Sequence, residues 1–594
     1  MITTRLRTLG VSFGLALVFL LATRQLGGRG AYSGSAIYRA QVDAFLAGRL
    51  ALSTSPDALA HDLAWTPSGV QQVWGLGVPL WQTPFELVAR VLGQDPFPDR
   101  IALLVWLALC WFVLIRAFRR QGEPRWLGAG SVLITALLPA FVTMMRGRMG
   151  IYEEAAAYAY TAALILLAGL VAFARTPTRN RYLVLLLAAG LTGLLRPTVW
   201  FYGLATAGLA TAMYLRAHGR RVLPIVAIGA ALFVAGGGAL YATNAARFGS
   251  GTEFGHRLNL ESLPGNIVAT RFSYPFERTG WISAGVELFG SVFGRPEQVA
   301  TRGFYERYLH VGQSEVVRWR EYYFTTFSWP YLPIVLAGLV LGALAWKRRD
   351  DDRWLAAWAV IGALPLVLFY LHSPSISSRY ELDLAPAIAA LLVIAWRGGA
   401  RWWIKRRRGV IAPAVLVMLW IVAVATSKAR GRVPADLVDR DTASVELVPL
   451  SRAPTLAHEL PNAYDLADPK LETYLDADGK PPELYLNGSG WDRATGRVAP
   501  AAQFYMTAPA FVVVEVETPT GASVDWATRV RVVIGPHHLT LASTEPTARG
   551  ARLHFTLSDG VTLPGLQVAF VAFGPDAELD QPLSNVVLRR IRWR

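Results

Sequence analysis

The chain has 594 residues, 53% of them hydrophobic, a mean hydropathy of +0.34 and a formal net charge of +16. Apolar runs of about twenty residues recur through the first 426 positions, which excludes a soluble enzyme and reads as a polytopic α-helical membrane protein. The arginine clusters lie between these runs, where orientation signals belong, so nucleic acid is not the expected partner, and one cysteine, Cys110, leaves no intrachain disulfide and no cysteine metal site.

Taken in chain order, the apolar pattern predicts eleven spans, near 9–25, 99–117, 127–145, 154–174, 182–196, 197–215, 222–243, 329–346, 354–372, 384–397 and 409–426. The first follows Arg5 and Arg7 and has no small-x-small cleavage pattern before Arg24, so it reads as a retained helix. The fifth and sixth meet at Arg196-Pro197, a tight re-entry between two helices. Basic clusters at 119–125, 175–181, 216–221, 347–353 and 397–408 fall in alternate loops, on the side of Arg5 and Arg7. That side is the cytoplasm, and an odd count places the C-terminus outside.

Two long segments then lie outside, 26–98 and 244–328. The first carries amphipathic stretches at 36–50 and 79–92, suited to the membrane interface. Residues 427–436 read as a linker. From 437 to 594 the pattern turns to alternating strands, at 511–518, 529–535, 537–543, 551–557, 566–573 and 585–593, as in an extracytoplasmic β-sandwich. His537 and His538 are neighbours in a strand and point to opposite faces, which is not a metal-binding arrangement.

Several charges stand against the orientation rule. MMRGRMGIYEEA (144–155) forms a tight external turn with Arg146, Arg148, Glu153 and Glu154. In one reading the glutamates neutralise the arginines and cap the next helix. In the other they form a polar site, with arginine for a phosphate and glutamate for a hydroxyl or a divalent metal. Arg196 and Arg379 fall at the same external depth, where each either pairs internally, Arg379 with Glu381 or Asp383, or binds a lipid phosphate. No phosphate-cradling GxxxxGK[ST], GxSxG or HExxH motif competes.

The stretches IYRAQVDAFLAGRL, GLGVPLWQTPFELV, IYEEAAAYAY, GLLRPTVW, ARFGSGTEFGHR and SSRYELDLAPAIAALL together resemble the GT-C superfamily of membrane glycosyltransferases. The likeness is to the branch of dolichyl- and polyprenyl-phosphate-mannose mannosyltransferases and aminoarabinose transferases, and it covers residues 1–426. It implies a GT-C-like bundle in the bacterial cytoplasmic (inner) membrane. The implied reaction is inverting hexosyl or pentosyl transfer from a polyprenyl-phosphate sugar to an envelope glycan, lipid or protein. It also implies a carboxylate in the first external loop, but Ser33, Gly34 and Ser35 stand where that carboxylate is sought. Among Asp43, Asp57 and Asp62 the best substitute is Asp62, which equally fits a capping or turn residue. Glu153 and Glu154 match the family's second acidic loop. The resemblance thus gives Asp62, Glu153 and Glu154 as catalytic candidates, with Glu153 and Glu154 as the metal ligands if a metal takes part. Arg379, Arg196, Arg148 and Arg146 are the phosphate candidates, and Tyr38, Trp65, Tyr152 and Tyr380 line the donor and acceptor pocket. Trp491 and Trp526 either stack on sugars or belong to the β-domain core. Two alternatives stay open: a catalytically inactive relative acting as a scaffold or lipid-glycan binder, and a flippase of lipid-linked sugars.

Overall fold

The computed structural model describes residues 2–27, 31–54, 63–66, 68–94, 96–119, 122–147, 149–255, 285, 288–289, 292–293, 331–348, 350–372, 378–405, 415–421, 463–465, 501–507, 510–518, 525–534, 537–558, 561, 566–573 and 587–593. Seven described helices are long and apolar enough to cross a membrane, or eight if one bent pair counts as a single span. The chain is therefore a multi-pass helical protein, with a small hairpin near its N-terminal end and larger sheets in its C-terminal part.

Helix α1 (Ile2–Ala22) packs on α4 (Asp99–Phe118), with the Phe19 ring edge-on to Trp111 at 5.4 Å. Between them the 26–98 segment folds into α2 (Ile37–Leu46), a hairpin of β1 (Leu63–Thr66) and β2 (Gly69–Gln72), and α3 (Gly77–Val91). The amphipathic stretches are thus helices, and the hairpin between them was not expected from the pattern. Asp43 lies on the wet face of α2, exposed, and pairs with Arg90 at 2.7 Å. On α3, Leu87, Val88 and Val91 are exposed while Gln82 and Glu86 are buried, so its apolar edge faces away from the protein.

The run at 127–145 is not one rod. It divides into α5 (Arg125–Ala136) and α6 (Pro139–Arg146), bent by 48°. Pro139 has no N–H to give the carbonyl four residues earlier, Thr135, and Tyr160 Oη donates to that carbonyl instead, at 2.6 Å. Tyr160 belongs to α7 (Ile151–Arg175), the central helix, whose Ala-rich first half is buried on all sides. Around it stand α8 (Arg179–Leu191), α9 (Trp200–His218), α10 (Leu223–Phe248), α11 (Tyr331–Arg348), α12 (Asp352–His372) and α13 (Ala385–Lys405). Helix α8 has only 13 residues and continues as a 3-10 turn at Thr192–Leu194. Helices α8 and α10 touch backbone to backbone, since a Cβ on Gly236 would lie 2.5 Å from the carbonyl carbon of Gly190. The predicted eleventh span is described only at 415–421, which is helical, and the 427–436 linker lies outside the described residues.

At the other end of the bundle, Arg397 on α13 is fully buried. It donates to Asp352 at 3.2 Å and to Glu123 at 3.1 Å, while Arg401 reaches Asp350 and Asp352, each at 2.8 Å. This network ties the start of α12 and the chain before α5 to the end of α13.

The C-terminal strands are β3 (Ala463–Asp465), β4 (Ala501–Thr507), β5 (Phe511–Glu517), β6 (Val530–Ile534), β7 (His537–His538), β8 (Thr540–Pro546), β9 (Gly550–Thr556), β10 (Leu566–Phe573) and β11 (Val587–Trp593). They form two antiparallel sheets, ordered β4-β10-β6-β7 and β3-β11-β5-β9-β8. Strand β5 alternates, with Val512, Val514 and Val516 buried, and β9 buries Ala551, Leu553 and Phe555 in the same way. Trp526 is buried too, so it is a core residue and not a stacking platform.

Candidate functional site

Asp99 opens α4 directly after Pro98, where an acidic residue commonly complements the helix dipole. Its carboxylate does something else. It accepts from the Ser33 backbone N–H at 2.8 Å and from Arg39 Nη1 at 2.6 Å, fixing the chain as it enters α2. The stretch Ser33-Gly34-Ser35, which lacks the sought carboxylate, is thus held against one supplied by Asp99. Gly34 N in turn donates to Met149 O at 3.1 Å, joining the first loop to the turn before α7.

The two glutamates of that turn separate. Glu153 Oε2 accepts from the Gly150 N–H at 3.0 Å and caps α7. Glu154 turns inward, 1% exposed, and Oε1 accepts from Gln82 Nε2 of α3 at 3.0 Å. Asp99 and Arg100 are its charged neighbours. With Arg39, these make two carboxylates and two guanidiniums in one buried group, a balance of charge that burial demands.

Tyr38, on α2, is fully buried within electrostatic reach of both Glu154 and Arg196. Burial and the Glu154 charge push its hydroxyl well above the ordinary tyrosine value, and Arg196 opposes them. The hydroxyl therefore stays protonated and available as a donor. Around Glu154, several buried atoms have no hydrogen-bond partner among the described residues: Glu154 Oε2, Gln82 Oε1, Tyr38 Oη, Tyr158 Oη, and Arg100 Nε and Nη1. Each such atom costs about 1–3 kcal/mol if left unpaired, so donors and acceptors concentrated at one carboxylate mark a place built to receive a polar group.

Arg196 precedes Pro197 and takes the extended backbone that a following proline favours. Its Nε lies 2.9 Å from Asp383 Oδ1 and its Nη2 donates to Asp383 Oδ2 at 3.1 Å. Asp383 ends the 3-10 helix Ser378–Asp383, also accepts from Tyr370 Oη, and through its carbonyl accepts from Tyr202 Oη at 2.8 Å. The Arg196 guanidinium lies 5.7 Å from the Tyr380 ring, which stacks on Tyr370 at 5.9 Å. Nη1 has no hydrogen-bond partner among the described residues, so one edge of the fork stays open. Asp383 thus pairs with Arg196 and fixes the orientation of the open edge.

The structure brings together Tyr38, Glu154, Arg196 and Tyr380. Tyr152 lies edge-on to Trp74 at 5.3 Å, next to this group in the first turn of α7. Glu153 caps a helix, and Arg146 ends α6, half-buried. Asp57, Asp62, Arg148 and Trp491 lie outside the described residues, as do the side chains of Trp65 and Arg379. Among the described residues no group of three or more His, Cys, Asp or Glu could hold a metal ion. Glu153 and Glu154 serve different partners and do not converge on one. The contributions of Asp99, Arg100 and Gln82 were missed, and Asp383 was named only as a partner for Arg379. Of these only Arg100, a charge at the outer end of a span, carries the signal that singled out Arg196.

No family model matches the chain, and no curated protein matches it in sequence. Among solved structures, the cryo-EM structure of arabinosyltransferase EmbB from Mycobacterium smegmatis is similar over 99% of this chain, at 12% sequence identity and a TM-score of 0.34. The chain spans 64% of the length of that protein.

Proposed function

We propose that the chain is an integral membrane glycosyltransferase of GT-C type, with eleven spans, that moves a sugar from a polyprenyl-phosphate donor to an extracytoplasmic envelope glycan, lipid or protein. The observation that carries this reading is Glu154, a buried carboxylate with one oxygen held by Gln82 and the other unpartnered among the described residues, in a group shared with Tyr38 and Arg100. In the proposed reaction the acceptor hydroxyl attacks the anomeric carbon from the face opposite the phosphate. The bond from that carbon to the phosphate oxygen breaks, the configuration inverts, and polyprenyl phosphate leaves. Glu154 Oε2 takes the acceptor proton. The leaving phosphate is already anionic and needs cations more than a proton, so Arg100 and the open edge of Arg196 steady it. Tyr38 donates to a sugar or phosphate oxygen. The transition state has oxocarbenium character, as in other glycosyl chemistry. No step is assigned to a metal.

The alternation of the basic loops supports an extracytoplasmic position for this group at the inner membrane, and in this reading the C-terminal sheets form a sandwich on the same side, near the acceptor. The test is turnover of polyprenyl-phosphate sugars by the full chain in lipid nanodiscs, for wild type, Glu154→Gln and Asp62→Asn. Loss of about 10²–10⁴ in rate for Glu154→Gln, with Asp62→Asn active, supports the assignment. The reverse pattern moves the base to Asp62. Donor binding with no turnover over a broad acceptor panel replaces the enzyme with a non-catalytic lipid-glycan binder.

A further inference from the structure

A second buried polar group adjoins the first and has no part in the proposed chemistry. Arg247, the penultimate residue of α10, is 3% exposed. Its Nη1 donates to the carbonyls of Gln72 at 3.1 Å and Trp74 at 3.2 Å, and its Nη2 to Asn244 Oδ1 at 2.8 Å. All three acceptors are neutral, no carboxylate pairs with it among the described residues, and Nε has no partner. On β2, Gln72, whose carbonyl Arg247 holds, is fully buried, and both its side-chain polar atoms lack a hydrogen-bond partner among the described residues. The dipole at a helix C-terminus favours a cation there, but it does not account for the orphaned amide. A buried guanidinium needs an anion. Amides, each with a donor and an acceptor, match hydroxyl groups. Trp74 places the group next to the transfer site, because its ring meets Tyr152, two residues before Glu154.

We infer that Arg247 and Gln72 form a subsite for an anionic sugar, with the guanidinium on its carboxylate or phosphate and the amide on its hydroxyls. This rests on the glycosyltransferase reading and specifies the acceptor: a glycan whose accepting unit carries, or adjoins, a negative charge.

Binding by the full chain in nanodiscs tests it, with glucuronic acid, glucose 6-phosphate, glucose and inorganic phosphate as probes. The two charged sugars should bind at least about tenfold more tightly than glucose or inorganic phosphate, and whichever charged sugar binds better identifies the anion. Gln72→Leu removes polar atoms that make no hydrogen bond among the described residues. It should leave Tm unchanged or higher and weaken charged-sugar binding by about tenfold. Arg247→Met should weaken it further, and Asp43→Asn, at an exposed ion pair, should leave it intact. Binding no better than glucose, phosphate bound as tightly as glucose 6-phosphate, or an unaffected Gln72→Leu overturns the subsite, whatever the turnover shows. Binding that depends on Gln72 and Arg247 in a protein that never releases polyprenyl phosphate keeps the subsite and removes the transferase.

Discussion

Arg196 and Asp383, 187 residues apart, meet as a two-pronged ion pair, with the aspartate side chain 2% exposed. The pair joins the junction before α9 to the 3-10 helix before α13, and Tyr370 and Tyr202 attach α12 and α9 to the same aspartate. Asp383→Asn leaves a buried guanidinium without its counter-charge and should cost about 3–5 kcal/mol. Removing both charges with Arg196→Met in the Asp383→Asn background should cost less than the sum of the single changes. Unfolding of the four variants in one nanodisc preparation checks this. Additive losses would show that the pair is not coupled.

Glu153 and Glu154 are adjacent but have different tasks. Glu153→Ala removes a helix cap and should cost about 1 kcal/mol of stability while turnover survives. Glu154→Gln should leave Tm close to wild type, because an amide can still accept from Gln82, and should stop turnover. Equal effects of the two changes on rate would refute the separation.

Asp43 offers a third contrast. It faces solvent and pairs with the exposed Arg90. Asp43→Asn should leave both donor binding and turnover at wild-type levels in the nanodisc assay, since exposed pairs contribute little. A large loss of rate would place the base in α2.

The cluster at the other end of the bundle should act on stability alone. Asp352 answers both Arg397 and Arg401. Asp352→Asn should therefore lower stability by about 3–5 kcal/mol and leave the affinity for donor unchanged in the fraction that stays folded. Equilibrium unfolding beside donor titration measures both.

Much of the bundle was legible because apolar runs and alternating basic loops are local signals. Arg196 stood out because an arginine at the outer end of a span breaks the orientation rule, and Glu154 because it shares a tight turn with two such arginines and matches an acidic loop of the resembled family. Gln82 gave no such signal, since a glutamine in an amphipathic helix resembles its wet face. Its partner Glu154 is 72 residues away in sequence. Asp99 was hidden by its position, where an acid ordinarily complements a helix N-terminus. The break at Pro139 was masked by the hydropathy of the run around it, which continues through the bend.

That break also links the tolerances of two residues on different helices. Thr135 O takes its hydrogen bond from Tyr160 because Pro139 has none to give. Tyr160→Phe alone therefore strands a carbonyl in a medium without water. In a Pro139→Ala background the alanine N–H can reclaim that carbonyl as the helix straightens, and the same Tyr160→Phe becomes nearly harmless. Neither position can be judged replaceable on its own, and homologues that lose the proline are released from the tyrosine hydroxyl as well.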